Sequence, residues 1–234
     1  MLVYLVRVNM STTGELPAGL VTAPFPPKLV DIEIAVSNLH TLPNDLDSTW
    51  PQGMYFICDG CGFTSLPLVL SRMSPYWVTF AVNPFSAFPF EVFQIAGLEH
   101  FQLGGVSLPL TPPTADESFL QGTTLRYLYL PSTNLTWLPR WVDSFASLRR
   151  SLWYQPALDL TATPLCDAIG EMHAGRLDRF PAEWTANVPA DQVSNYMYVE
   201  RSNVSALTSV VGCNGMRKFA YGIEDDDARY SLRV

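Results

Sequence analysis

A short burst of alternating apolar and polar residues, closed by a proline, recurs along the first two-thirds of the chain. Aligned on a Leu-Pro or Phe-Pro pair, the copies are VYLVRVNMSTTGELP (3–17), LVDIEIAVSNLHTLP (29–43), GMYFICDGCGFTSLP (53–67), PYWVTFAVNPFSAFP (75–89) and LRYLYLPSTNLTWLP (125–139). A sixth copy, LEHFQLGGVSLPLTP (98–112), fits with a weaker ending. The starts at residues 3, 29, 53, 75, 98 and 125 lie 26, 24, 22, 23 and 27 residues apart.

With the first residue of each copy at offset zero, apolar side chains recur at offsets three and five: Val6/Val8, Ile32/Ile34, Phe56/Cys58, Val78/Phe80, Phe101/Leu103 and Leu128/Leu130. Two apolar positions separated by one residue are the signature of a short strand with one buried face. Leu39/Leu42, Phe63/Leu66, Phe85/Phe88 and Leu135/Leu138 follow at offsets ten and thirteen and turn the chain across the core. Leu20, Leu46, Leu70, Val92 and Val142 come next, with Met73, Ile95 and Phe145 three residues later, a step that suits a helical or 3₁₀ turn. No single unit can bury both of its faces, so the copies must stack. The expected fold class is an α/β solenoid, with short parallel strands on a concave face and short helical or irregular segments on a convex face.

The pattern L-x-x-L-x-L-x-x-[N/C/S/T]-x-L-x-x-L-P resembles the leucine-rich-repeat family, whose repeats are roughly 20–29 residues long. The resemblance is nearest to eukaryotic receptor-type or secreted ectodomains. It implies a horseshoe and a binding role, in a parent protein that can carry a membrane span and a signalling domain. The family's Asn or Cys at offset eight is here Ser11, Ser37, Cys61, Asn83, Val106 and Thr133. Asn there bonds the turn backbone, Ser and Thr do so more weakly, and Val106 cannot.

Residues 1–160 are assigned to the solenoid, with a possible seventh repeat starting near Leu148, and 161–234 to a C-terminal cap or flanking region. The stretch from Thr111 to Ser118, with two prolines and an acidic pair, is the expected local distortion. In the cap, a helix is expected over 167–180 and a strand over NYMYVE (195–200). Aromatic residues Phe180, Trp184, Tyr196, Tyr198 and Phe219 favour a folded cap. Because residues 1–8 already occupy repeat positions, the chain reads as starting inside a longer protein, and MLVYLVRV lacks the length and cleavage pattern of a signal peptide.

The net charge of −8, with Lys28 and Lys218 the only lysines, argues against nucleic-acid binding and a polybasic membrane surface. No stretch approaches the ~20 apolar residues of a membrane span. Sequons at Asn9, Asn134 and Asn203 suggest glycosylation, and Cys166 and Cys213 could close the cap in an oxidising compartment. Cys58 and Cys61 form a C-x-x-C, but both fall at inward repeat positions, and no second pair supports zinc. The acidic run Glu224–Asp227 lacks calcium-loop spacing. His40, His100 and His173 are isolated, and no nucleotide, hydrolase or metalloprotease motif occurs.

The strongest functional candidate is the concave surface, where offsets two and four point outward. Asp31, Tyr55, Trp77, His100 and Tyr127 form one row and Glu33, Ile57, Thr79, Gln102 and Tyr129 the other. Leu5 and Arg7 precede them, and Arg150 follows if the seventh repeat is real. With strands about 4.8 Å apart, Tyr55, Trp77, His100 and Tyr127 should make an aromatic ladder that either binds a partner or only stabilises the sheet. A glycan at Asn9 would block one end.

The expected function is therefore a non-enzymatic module, without cofactor or metal, that recognises a protein or peptide and is extracellular or on the cell surface. An intracellular leucine-rich-repeat adaptor is the alternative. A third reading, an enzyme built around Cys166 and His173, requires a reactive Cys166.

Overall fold

The structure, a computed structural model, describes residues 2–22, 25–26, 28–106, 108–110, 117–149 and 156–215. Arg150, Phe219 and the acidic run 224–227 lie outside them, as does 111–116, most of the proline-rich stretch. Eight parallel strands form one open sheet in which spatial order equals chain order. They are β1 (Leu2–Val6), β2 (Asp31–Ala35), β3 (Tyr55–Asp59), β4 (Trp77–Thr79), β5 (His100–Gln102), β6 (Tyr127–Tyr129), β7 (Leu158–Asp159) and β8 (Val211–Gly212).

The crossovers return through short helical pieces, as the i, i+3 apolar steps require. These include α1 (Ala18–Val21), a 3₁₀ turn at Leu46–Ser48, α2 (Leu70–Met73), further 3₁₀ turns at Phe90–Gln94 and Ser118–Leu120, and α3 (Trp141–Arg149). Ile32/Ile34, Phe56/Cys58, Val78/Phe80, Phe101/Leu103 and Leu128/Leu130 are all buried on one sheet face. Leu46, Leu70, Val92 and Val142, with Met73, Ile95 and Phe145, close the core from the crossover side.

One bond repeats along the sheet. The residue one to three positions beyond the strand, offset seven in the units starting at 29, 53, 75, 98 and 125 and aligned with it by strand pairing in the first and seventh, has a positive φ in seven successive units: Arg7, Val36, Gly60, Val82, Gly105, Ser132 and Ala162. In six of them its N–H donates to the offset-six carbonyl of the next unit: Arg7 to Ala35, Val36 to Asp59, Gly60 to Ala81, Val82 to Gly104, Gly105 to Pro131 and Ser132 to Thr161, all within 2.7–2.9 Å. Offset eight adds side-chain bonds. Asn83 donates to the carbonyls of Cys58 (2.6 Å) and Ala81 (3.2 Å) and accepts from the Phe63 N–H (3.0 Å). Thr133 donates to Leu130 O (3.0 Å) and Ser37 to Val8 O (2.8 Å).

The register corrects the first unit by three residues. Val3 pairs with Ile32 and Leu5 with Ile34, so Val3 and Leu5 face the core, whereas Val8 is exposed. The outward positions are consequently Leu2 and Tyr4, not Leu5 and Arg7, and Ser11 is not at offset eight. Three extra residues between strand and Leu-Pro pair are absorbed in a turn around Gly14. There the Ser11 N–H donates to Glu15 O (3.2 Å) and the Glu15 N–H to the Ser11 hydroxyl (2.9 Å).

The seventh strand is also displaced. Leu148 lies in α3 and is exposed, and the strand comes ten residues later, where Leu158 pairs with Leu128. Strand β5 keeps its register with both neighbours, so the irregular crossover after it does not interrupt the sheet.

Beyond β7, α4 (Pro164–His173) starts at a Thr163 cap and a first-turn proline, not at Asp167, and stops before Gly175, whose φ is 74°. Cys166 on α4 is joined to Cys213 by a disulfide. The NYMYVE segment forms a 3₁₀ turn (Asn195–Tyr198) instead of a strand, because the Ser194 hydroxyl accepts the Tyr196 N–H (3.1 Å) and donates to Asp143 of α3. After α5 (Val204–Thr208) the chain re-enters the sheet as β8, a strand that the loss of periodicity past Cys166 conceals.

Candidate functional site

The sheet face turned away from the core carries two rows of side chains in parallel register. Asp31, Tyr55, Trp77, His100 and Tyr127 are paired one to the next across β2–β6. Glu33, Ile57, Thr79, Gln102, Tyr129 and Asp159 form the second row across β2–β7. The two rows differ in accessibility: the first is half-buried, while Glu33, Ile57, Thr79, Gln102, Tyr129 and Asp159 are all buried. Neighbouring strands only about 4.8 Å apart leave little room between side chains of one row.

The aromatic residues stack. Trp77 and His100 lie 4.4 Å apart with planes 9° from parallel and His100 and Tyr127 4.7 Å apart at 23°, while Tyr55 is tilted against Trp77, 6.2 Å away at 31°. The ring of Tyr129, on β6, crosses β5 to stack on Trp77 at 5.8 Å. Each such pair contributes about 0.5–1.5 kcal/mol beyond the area it buries.

His100 sits at the centre. Its Nδ1 is 2.9 Å from the Tyr129 hydroxyl and its Nε2 3.4 Å from that of Tyr76. Burial, with a smaller contribution from the Arg126 charge, lowers its pKa from 6.5 to about 4, so the ring is neutral at pH 7. One ring nitrogen then accepts from a tyrosine and the other donates, which makes Tyr76–His100–Tyr129 a directed chain. Burial pushes the Tyr129 hydroxyl far above the usual phenol range, and burial together with the Glu99 charge raises Tyr76. Glu99 and Arg126 pair at 3.1 Å beside the ladder, a partly exposed contact of at most about 1 kcal/mol.

Carboxylates flank the aromatic stretch. Burial raises the pKa of Asp31, against the opposing effect of a hydrogen bond with Glu33. Asp59 ends β3 fully buried, where Oδ1 accepts from the Thr79 hydroxyl (2.6 Å) and the Ala81 N–H (2.9 Å), tying β3 to the end of β4. Asp159 likewise accepts from the hydroxyl and N–H of Thr161 (2.6 and 2.9 Å). Trp77, His100, Tyr129 and Asp159 border a cleft of ≈ 1170 Å³ that is also lined by Ile169 and His173 of α4.

The register brings the ten expected binding residues onto one face. Sequence reasoning missed Tyr76, which reaches His100 from one position before the outward row, and the two aspartates at the strand ends. Their signal was a phenol beside Trp77 and carboxylates at Asp59, two residues past Ile57, and at Asp159, in line with Tyr129, which the offset pattern alone ranks no higher than solvent-facing polar residues.

Cys58 and Cys61 are buried thiols with sulfurs 2.9 Å apart, consistent with inward repeat positions. Cys61 also lies 3.7 Å from the Ile34 carbonyl. No group of three or more His, Cys, Asp or Glu side chains suited to a metal ion occurs among the described residues. Among them, too, no helix is long and apolar enough to cross a membrane. Asn9, Asn134 and Asn203 are all exposed, while His173 and Cys166 lie on the same α4, the cysteine engaged in its disulfide.

Comparison with family models, curated proteins and solved structures finds no match to this chain.

Proposed function

We propose that this chain is a leucine-rich-repeat solenoid acting as a non-enzymatic recognition module, binding a protein or peptide through its concave face. The observation that carries this reading is the half-buried row Tyr55–Trp77–His100–Tyr127, held in register over four strands with its rings in mutual contact. Aromatic side chains fixed by their neighbours lose little entropy on binding and dominate interface energetics. The repeated offset-seven backbone bond and the Asn83 bridge support stacking of equivalent units.

The disulfide between Cys166 and Cys213 and three exposed sequons support an extracellular or cell-surface setting within a larger receptor-like or secreted protein. The same disulfide weighs against the reading that makes Cys166 a nucleophile. The two unoxidised thiols of Cys58 and Cys61 favour the second reading, an intracellular adaptor with the same binding face.

Photo-crosslinking separates these proposals from a purely structural ladder. Benzoylphenylalanine at Tyr127 should trap a discrete partner from native-host extract, whereas the same group at exposed Leu68, on a crossover, should not. Equal trapping at both positions would overturn the concave-face assignment. Glycan-free Asn134 and Asn203 in the native host would shift the assignment to the intracellular reading.

A further inference from the structure

In the unit starting at residue 53, cysteine fills two inward positions at once. At offset five Cys58 stands where other units have the larger Ile34, Phe80, Leu103 and Leu130, and at offset eight Cys61 stands where the next unit has Asn83. Cys61 reaches the same pair of carbonyls as Asn83, offset five of the unit before and offset six of its own, but weakly. Its sulfur lies 3.7 Å from Ile34 O and 3.6 Å from Asp59 O, against 2.6 and 3.2 Å for the Asn83 amide. A thiol is a poor donor, so this turn lacks the strong side-chain bridge of its neighbour.

The two sulfurs are 2.9 Å apart. That is closer than ordinary non-bonded contact, about 3.5–4.0 Å even between carbon atoms, and less than about 1 Å beyond a disulfide bond of about 2.0 Å. The backbone fixes this approach. Gly60, between the cysteines, has a φ of 62° and donates its N–H to Ala81 O (2.7 Å), while the Gly62 N–H donates to Leu39 O (2.7 Å). The other two cysteines are bonded to each other beyond β7, four strand positions from β3. That is roughly 20 Å, against a limit of about 7 Å between Cα atoms that a disulfide can bridge. No metal-binding group of three side chains includes the pair among the described residues.

We propose that Cys58 and Cys61 close a second disulfide, within a single unit, when the chain folds in an oxidising medium. The oxidant is a small-molecule disulfide of the glutathione class. The Cys61 thiolate attacks one of its sulfurs, forming a mixed disulfide and releasing one small thiolate; the Cys58 thiolate then attacks the Cys61 sulfur and releases the second. Two protein thiols are oxidised, one small disulfide is reduced to two thiols, and the protein's two protons pass through solvent to the released thiolates. The exchange belongs to folding, before the turn packs. In the packed chain both sulfurs are buried, and burial pushes the Cys58 thiol well above its usual range, which starves exchange of thiolate. The bond supplies the link that Asn83 gives the next unit, and its formation withdraws the free thiols that favour the intracellular reading.

Refolding the full chain from the reduced, denatured state in mixed reduced and oxidised glutathione, alkylating with iodoacetamide in denaturant and mapping tryptic peptides by mass tests this. Cys58 and Cys61 share the peptide 29–72. It should be two hydrogens lighter than its reduced form and carry no alkyl group, gaining two only when reductant precedes alkylation. In Cys61→Ser the same peptide should take one alkyl group. Two alkyl groups on 29–72 while Cys166 and Cys213 are linked would overturn the proposal, as would a link from Cys58 or Cys61 to either of them. Neither result touches the recognition reading, which rests on the concave face. If the reduced chain does not refold, the chain secreted from eukaryotic culture and alkylated in denaturant gives the same readout, judged by the same outcomes.

Discussion

Val36 and Val82 hold φ values of 53° and 58°, a region that β-branched residues avoid at a cost of about 1–2 kcal/mol. They are kept there because each N–H completes the bond from one unit to the next. Val36→Asn, which tolerates this conformation and keeps the backbone bond, is expected to raise stability by about 1 kcal/mol; a lower denaturation midpoint would contradict the strain. His100 gives a pH signature. Its folded pKa of about 4 lies below the unfolded 6.5, so the folded state refuses a proton that the unfolded chain takes. Its contribution is complete above pH 6.5 and is lost as pH falls toward 4, about 3 kcal/mol in all. Denaturant titrations at pH 7 and 4.5 should show the parent losing about 2 kcal/mol more than His100→Gln. Parallel losses would place the ring outside the buried ladder. These features were half legible: the stacking row followed from offset two, whereas the positive φ at valine leaves no trace in hydropathy.

At the level of elements, Asn83 links β3, the turn after it and the next unit through three buried hydrogen bonds. Asn83→Ala leaves those backbone groups unpaired and should cost about 2–4 kcal/mol by equilibrium unfolding; a loss below about 0.5 kcal/mol would contradict its bridging role. The disulfide closes a separation of 47 residues around the last helices, which in the chain-entropy account is worth about 4 kcal/mol. A Cys166→Ser/Cys213→Ser variant should lose most of that, and an unchanged midpoint would show that the cap holds without it. Strands β2, β3, β4 and β6 were readable because the distance from strand to Leu-Pro or Phe-Pro pair is constant in those units, and β5 because Phe101 and Leu103 keep the inward spacing. The first unit misled because the turn around Gly14 inserts three residues into that distance. The seventh was hidden because α3 runs on through Leu148, and β8 because two residues carry no period.

Across the whole molecule, the sheet sets its edges and its outward face to different tasks. The last core layer is closed by the segment that follows β7, and the central face carries the aromatic ladder between carboxylates. A net charge of −8 disfavours an acidic partner by like-charge repulsion. The most direct test of the recognition account compares affinity capture by the intact chain with capture by a Tyr55→Ser, Trp77→Ser, Tyr127→Ser variant shown to stay folded by circular dichroism. The account predicts a partner retained by the parent and lost by the variant. Equal recovery from both would reduce the ladder to strand packing.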